Sequence, residues 1–113
     1  MATQLYSVSA LVAYLQLTLD SDPLLADLWI TGEVANASTS AVGHSYFSLR
    51  EEGASFRCVL FSRYPGSDNL TNGAQVNVHG RVNMYVARGE IQLTADMVQP
   101  AGAGLLAAEF ELL

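Results

Sequence analysis

Residues 43–63 read GHSYFSLREEGASFRCVLFSR. Two runs that alternate apolar with polar residues flank Glu52-Gly53, so the stretch predicts a β-hairpin with strands over 44–50 and 55–63. It holds three of the five basic residues, all of them arginine, and four of the ten aromatics, in a chain with eleven Asp and Glu. Successive side chains of a strand point to opposite faces, so the hairpin divides into two sets. An arginine has no place inside a small barrel, which sends Arg57 outward with Val59, Phe61 and Arg63, and leaves Phe56, Cys58 and Leu60 inside. On the partner strand Phe47 and Leu49 go in, while His44, Tyr46, Ser48 and Arg50 go out. The inner set is apolar apart from Ser45. The outer set carries three Arg with Tyr, Phe and His, which is an unusual composition for a plain solvated face.

The rest of the chain extends the pattern. Val8, Leu11, Val12, Leu15 and Leu19 make one apolar stripe of a helix over 9–20, with Ser7 and Ser9 as candidate N-caps and Asp22-Pro23 as its stop. Residues 28–36 alternate Ile30 and Val34 against Thr31 and Glu33, with a bulge or bend expected at Gly32. Residues 36–43 read as a loop of small polar residues. Residues 64–73 read as irregular chain with room for a short helical turn. Residues 75–86 form a long strand with Val76, Val78, Val82 and Met84 on one face. After the turn Ala87-Arg88-Gly89, a last strand over 90–98 places Ile91, Leu93 and Met97 inward. Residues 100–104 read as a hinge, and residues 105–113 as the start of a helix.

One helix and five strands in a single 113-residue domain point to an all-β core with a flanking N-terminal helix, a five-stranded Greek-key barrel of the OB-fold type. An SH3-like barrel and an open sandwich are the alternatives. The parts are residues 1–26, a helix packed on the barrel; 27–99, the barrel; and 100–113, the hinge and the start of a helix. In OB-folds oligonucleotides lie across strands 2 and 3 and the loops between strands 1–2 and 4–5. Here that surface collects Arg63, Phe61, Arg57, Tyr46, Arg50 and His44, with Arg88 in the last hairpin loop and Arg81 and Tyr85 on the outward phase of strand 4. Arginines track a backbone and aromatics stack bases. The same residue types are enriched at protein interfaces. Single-strand binding, protein docking and solvated charge therefore all fit the pattern.

The net charge of −6 speaks against general affinity for nucleic acid, yet it is unevenly spread. Residues 1–33 hold four acids and no base, and 96–113 three acids and no base. Residues 34–95 hold all five Arg against Glu51, Glu52, Asp68 and Glu90, a net of +1. With a single cysteine there is no disulfide framework. Cys58 on the inward face reads as structural, and His44, His79 and Cys58 lack metal-ligand spacing. His79 is expected to cap or pack on strand 4, and Trp29 either to stack a base or to pack barrel against helix. No catalytic constellation, cofactor or metal is called for, no secretory signal or membrane span is visible, and the cytoplasm is the default compartment.

The residues in order resemble the N-terminal domain of the exonuclease VII large subunit. The resemblance rests on Trp29-Ile30-Thr31-Gly32-Glu33-Val34-Ala35-Asn36 followed by Gly43-His44-Ser45-Tyr46-Phe47-Ser48-Leu49-Arg50. It is supported by Tyr6-Ser7-Val8-Ser9, Asp22-Pro23-Leu24-Leu25, Arg57-Cys58-Val59-Leu60-Phe61, Gly80-Arg81-Val82, Arg88-Gly89-Glu90-Ile91-Gln92-Leu93 and Pro100-Ala101-Gly102-Ala103-Gly104. It implies an OB-fold that binds single-stranded DNA for an exonuclease, with a catalytic domain beyond the hinge and several small subunits as partners. It further implies degradation of single strands from both ends without a required divalent metal. The family often carries an aromatic and basic residues where Ala37-Ser38-Thr39-Ser40 stand here, so weak affinity of this domain by itself is expected. An RNA-reading OB domain is a further alternative.

Overall fold

The computed structural model describes residues 3–102. Its elements are helix α1 (Val8–Asp20) and strands β1 (Leu28–Thr39), β2 (Ser45–Glu51), β3 (Ala54–Leu60), β4 (Gln75–Tyr85) and β5 (Glu90–Pro100), with one 3-10 turn at Ser67–Asn69 between β3 and β4. The strands close into a barrel in the order β1-β2-β3-β5-β4, with β4 returning to β1. Every pairing is antiparallel except β3 with β5. This is the expected five-stranded OB barrel with its flanking helix. The helix expected to begin at residue 105 lies outside the described residues.

β1 is long enough to serve two neighbours. Leu28–Glu33 pairs with β4, and from Glu33 onward the strand pairs with β2. Gly32 sits at the corner and pairs regularly, so the bulge expected there is absent. The glycine instead allows close approach, because a Cβ would lie 3.2 Å from the Arg50 carbonyl oxygen and from Leu49 Cβ. The bulge comes later, where the register shifts between Ala35 and Ser38 and Asn36 takes φ 54°. Asn tolerates that left-handed conformation better than most residues. The segment expected as a loop from residue 36 is therefore strand as far as Thr39.

The β2–β3 hairpin turns on Glu52 (φ 48°) and Gly53 (φ 84°), both left-handed, as a two-residue turn between twisted strands requires. Its inward set is the expected one: Ser45, Phe47, Leu49, Cys58 and Leu60 are buried, and Phe56 packs against the core while half-exposed. Val59 departs from expectation, being 3% exposed on the outer side. It lies between Tyr46 of β2 and Thr94 of β5, so neighbours on two strands shield a short side chain. Val76, Val78, Val82 and Met84 line the inside of β4 as read. β5 differs. A second bulge inserts Asp96 between the pairs Gly80–Ala95 and His79–Met97. The inward set becomes Leu93, Ala95 and Val98, while Met97 turns out and Ile91, at the start of the strand, stays exposed. Gly80 makes the bulge possible: a Cβ there would run into the Thr94 carbonyl oxygen and lie 2.9 Å from Ala95 Cα.

α1 starts on Ser7, whose Oγ accepts from the Ala10 amide at 3.1 Å. Beyond its end, Asp22 Oδ1 accepts from the Leu24 amide at 2.9 Å. The helix rests on the barrel through Val12, Leu15 and Leu19, none fully buried, while Val8 and Leu11 of the expected stripe are exposed. Leu25 then bonds β4, its carbonyl accepting from the Val82 amide at 2.8 Å.

Candidate nucleic-acid interface

The outer faces of four strands meet along one row. Tyr46 of β2 is opposite Val59 of β3, Val59 beside Thr94 of β5, and Thr94 opposite Arg81 of β4. At about 4.8 Å between strands, the row from Tyr46 to Arg81 is roughly 14 Å long measured along the curved sheet. Tyr46 is 44% exposed and Arg81 is exposed. Arg57, two residues before Val59, is exposed opposite Ser48. Thr94 Oγ1 donates to Asn83 Oδ1 at 3.0 Å, which ties the polar part of this surface to β4. Tyr85 and Arg88 stand exposed at the end of β4 and in the loop to β5, where the Arg88 amide donates to the Tyr85 carbonyl.

The remaining four predicted residues occupy different settings. Arg50 is on the outer face as read, but its Nη2 is 3.0 Å from Glu33 Oε1. It lies in a shallow groove of about 450 Å³ with Glu33, Glu51 and Glu52, so this end of the hairpin is acidic. His44 and Phe61 fall just outside the strands. The His44 ring meets Phe61 edge-on at 5.0 Å, and His44 Nδ1 accepts from the Ser62 amide at 3.1 Å, which places the ring proton on Nε2. Both side chains are half-buried and fasten the start of β2 to the turn after β3. Arg63 lies in that turn with its guanidinium carbon 5.0 Å from the centre of the Tyr64 ring, while remaining exposed. Among the described residues, Arg57, Arg63, Arg81 and Arg88 make no ion pair.

A second cluster escaped the sequence reading. His79, on the outer face of β4, contacts two carboxylates: Nδ1 to Asp96 Oδ1 at 2.7 Å and Nε2 to Asp27 Oδ1 at 2.5 Å. Trp29, its register partner on β1, lies with ring centroid 5.1 Å from the imidazole. Burial pulls the His79 pKa down, but the hydrogen bonds and charges of Asp96 and Asp27 outweigh it and raise it above 6.5. The only sequence hint was an Asp interrupting the alternation of β5. Cys58 is buried and its thiol is pushed up to about 12 by desolvation, so it is no nucleophile at neutral pH. Among the described residues no group of three His, Cys, Asp or Glu is placed to hold a metal, and no helix is long and apolar enough to cross a membrane.

Residues 6–99 match the family model described as an OB-fold nucleic acid binding domain. Over its whole length the chain is 36% identical to the exodeoxyribonuclease 7 large subunit of Halothermothrix orenii, covering 28% of that protein. It is 38% identical to the subunit of the same name from Pasteurella multocida, covering 25% of it. The chain thus spans about a quarter of the length of these relatives. Among solved structures, a replication protein A heterotrimer bound to ssDNA superposes with TM-score 0.56 at 16% identity, over 67% of this chain and 57% of that one. The asparaginyl-tRNA synthetase of Pyrococcus horikoshii, complexed with asparaginyl-adenylate, gives 0.57 at 15%, over 68% and 20%. These two likenesses show the fold.

Proposed function

This chain belongs to the OB-fold nucleic acid binding domain family, and from that premise we propose that it is the single-stranded-DNA-binding module of a cytoplasmic exodeoxyribonuclease large subunit. The observation that carries the reading is the outer surface of β2, β3 and β4. It joins the exposed Tyr46 to Arg57 and Arg81, which make no ion pair among the described residues, with Arg88 at the neighbouring loop. Tyr46 offers a face on which a base stacks, and the exposed guanidiniums neutralise phosphates on either side. Arg63 extends the basic track beyond β3, and Tyr85 stands at its loop end. Arg50 contributes least, because Glu33 already holds its charge. Hydrolysis belongs to the part of such a subunit that this chain does not span, with the small subunits as further partners. This module presents the strand.

Titration of a fluorescent single strand at several salt concentrations tests the reading. Three or four phosphates neutralised give a log–log slope between about −2 and −3, at roughly 0.7 per phosphate. Arg57→Ala and Arg81→Ala each reduce that slope by about 0.7 without changing the fold. Binding that is absent at low salt, or that a duplex or an RNA of the same sequence matches, overturns the proposal. A face that instead captures the rest of the large subunit irrespective of added oligonucleotide is a protein-docking face.

A further inference from the structure

We propose that Asp27, His79 and Asp96 form a proton-dependent clasp that holds the segment between α1 and β1 on the barrel and opens at Asp27 as pH rises. An ionised carboxylate only accepts, and a neutral imidazole has one N–H and one lone pair. His79 reaches a carboxylate with each ring nitrogen, so both contacts are hydrogen bonds only when the ring carries both protons. Trp29 packs beside the ring, its centroid 5.1 Å from that of the imidazole. Among the described residues the charged groups acting on the ring are Asp27, from the turn before β1, and Asp96, from the β5 bulge; β1 presents the uncharged Trp29.

Loss of one proton leaves a single donor for two acceptors. Asp96 is 44% exposed and Asp27 78% exposed, so Asp27 regains water more readily. The remaining proton stays on Nδ1 with Asp96, and the Nε2 lone pair turns against Asp27. The sign follows from the raised pKa: the clasp is fully closed below the unfolded imidazole value near 6.5 and opens as pH climbs through the higher folded value. The consequence is local because the rest of the hold on this segment is partial: Leu19 and Leu25, at its two ends, pack against the core while only half-buried. No residue of α1 is buried, and the segment's backbone meets the barrel through the bond from Val82 to Leu25. α1 in turn abuts the β4–β5 loop: the Cβ position of Gly89 is 3.9 Å from Val12 Cγ2, and Val86 shares an apolar cleft with Val8, Val12 and Ala13.

The inference stands apart from the DNA reading, and it is tested on the 113-residue chain without DNA. NMR titration of the His79 ring, emission of Trp29, the only tryptophan, and hydrogen-exchange protection of the Val82 amide are followed together against pH. A common midpoint above 6.5 is expected, with Val82 protection lost through it at the rate of about tenfold per pH unit at most. Asp96→Asn lowers the midpoint more than Asp27→Asn, and 1 M salt weakens the Asp27 contribution more. His79→Gln abolishes the step while leaving the barrel core protected. A His79 midpoint at or below 6.5, or Val82 protection that ignores the His79 titration, overturns the clasp. Both readings come from the unmodified chain, so a variant that does not fold leaves the test intact.

Discussion

The two outer faces of this barrel use charge in opposite ways. On β3 and the outward phase of β4, Arg57 and Arg81 stand exposed and, among the described residues, make no ion pair. Across the β1–β4–β5 side, Asp27, His79 and Asp96 are bonded to one another, and the imidazolium offsets one of the two carboxylate charges. Unpaired surface charge does nothing for a small domain's stability, whereas a doubly bonded imidazolium holds two segments together. The first arrangement suits a ligand that brings its own negative charge. The second suits the fold itself. Arg81 and His79 are two residues apart on one strand, so a few ångströms of β4 separate the two uses.

The boundary between them is the bulge at Asp96, and breaking it gives the largest expected effect. Gly80→Val puts side-chain atoms where the Thr94 carbonyl and Ala95 Cα already stand. Overpacking against backbone costs about 3 kcal/mol, and relief requires β5 to slide, which carries Asp96 away from His79. Chemical denaturation measures the loss, and the His79 titration should return toward that of a free imidazole in whatever remains folded. A Gly80→Val chain as stable as the parent would mean that the two faces do not depend on this bulge.

Next in size is a contrast within the arginine-bearing face. Tyr46 and Phe61 share an outward phase in the sequence, but only Tyr46 stands free; Phe61 is half-buried against His44. Tyr46→Ala should weaken single-strand binding by about 1–3 kcal/mol, the range for a lost base stack, with stability changed little. Phe61→Ala should lower stability by about 1 kcal/mol through the lost aromatic contact. The reverse outcome would make Phe61 the stacking residue and Tyr46 a structural one. Paired melting curves and oligonucleotide titrations separate the two.

The same pair shows what a sequence discloses here. The inward and outward sets of the hairpin are legible because strand periodicity is two and a two-residue turn preserves phase, so Phe47, Leu49, Cys58 and Leu60 fall where alternation puts them. Phase stops being legible where the strand stops: β3 ends at Leu60, and Phe61 and Arg63 pass into a turn with its own directions. Bulges are hidden for a similar reason. In β5 the inward spacing is Leu93, Ala95, then Val98, a step of three, but the larger Ile91 and Met97 draw the eye to an unbroken period of two. The clasp was beyond reach, since Asp27 and Asp96 lie 52 and 17 residues from His79 and meet it only when the barrel closes. In α1 the apolar stripe was plain, yet Leu11, Tyr14 and Leu17 leave its outer side nearly as apolar as its inner one, so periodicity alone did not say how loosely it sits.

The smallest expected effect tests whether pairing is what separates the two faces. Arg50 sits on the arginine-bearing face but behaves like the other one, with its charge held by Glu33 at 3.0 Å. Both side chains are about half exposed, at 57% and 43%, so the pair contributes less than about 1 kcal/mol to stability. Glu33→Gln removes the competitor and leaves a side chain of the same shape. Melting should hardly change, while single-strand affinity rises and the salt slope steepens by about 0.7, as Arg50 becomes available to one more phosphate. If the slope stays where it was, Arg50 is out of reach of the strand, and the binding surface ends at Arg57, short of the acidic groove of Glu51 and Glu52. Arg50→Ala distinguishes the cases in the parent chain: it should leave the slope unchanged there and abolish the gain made by Glu33→Gln.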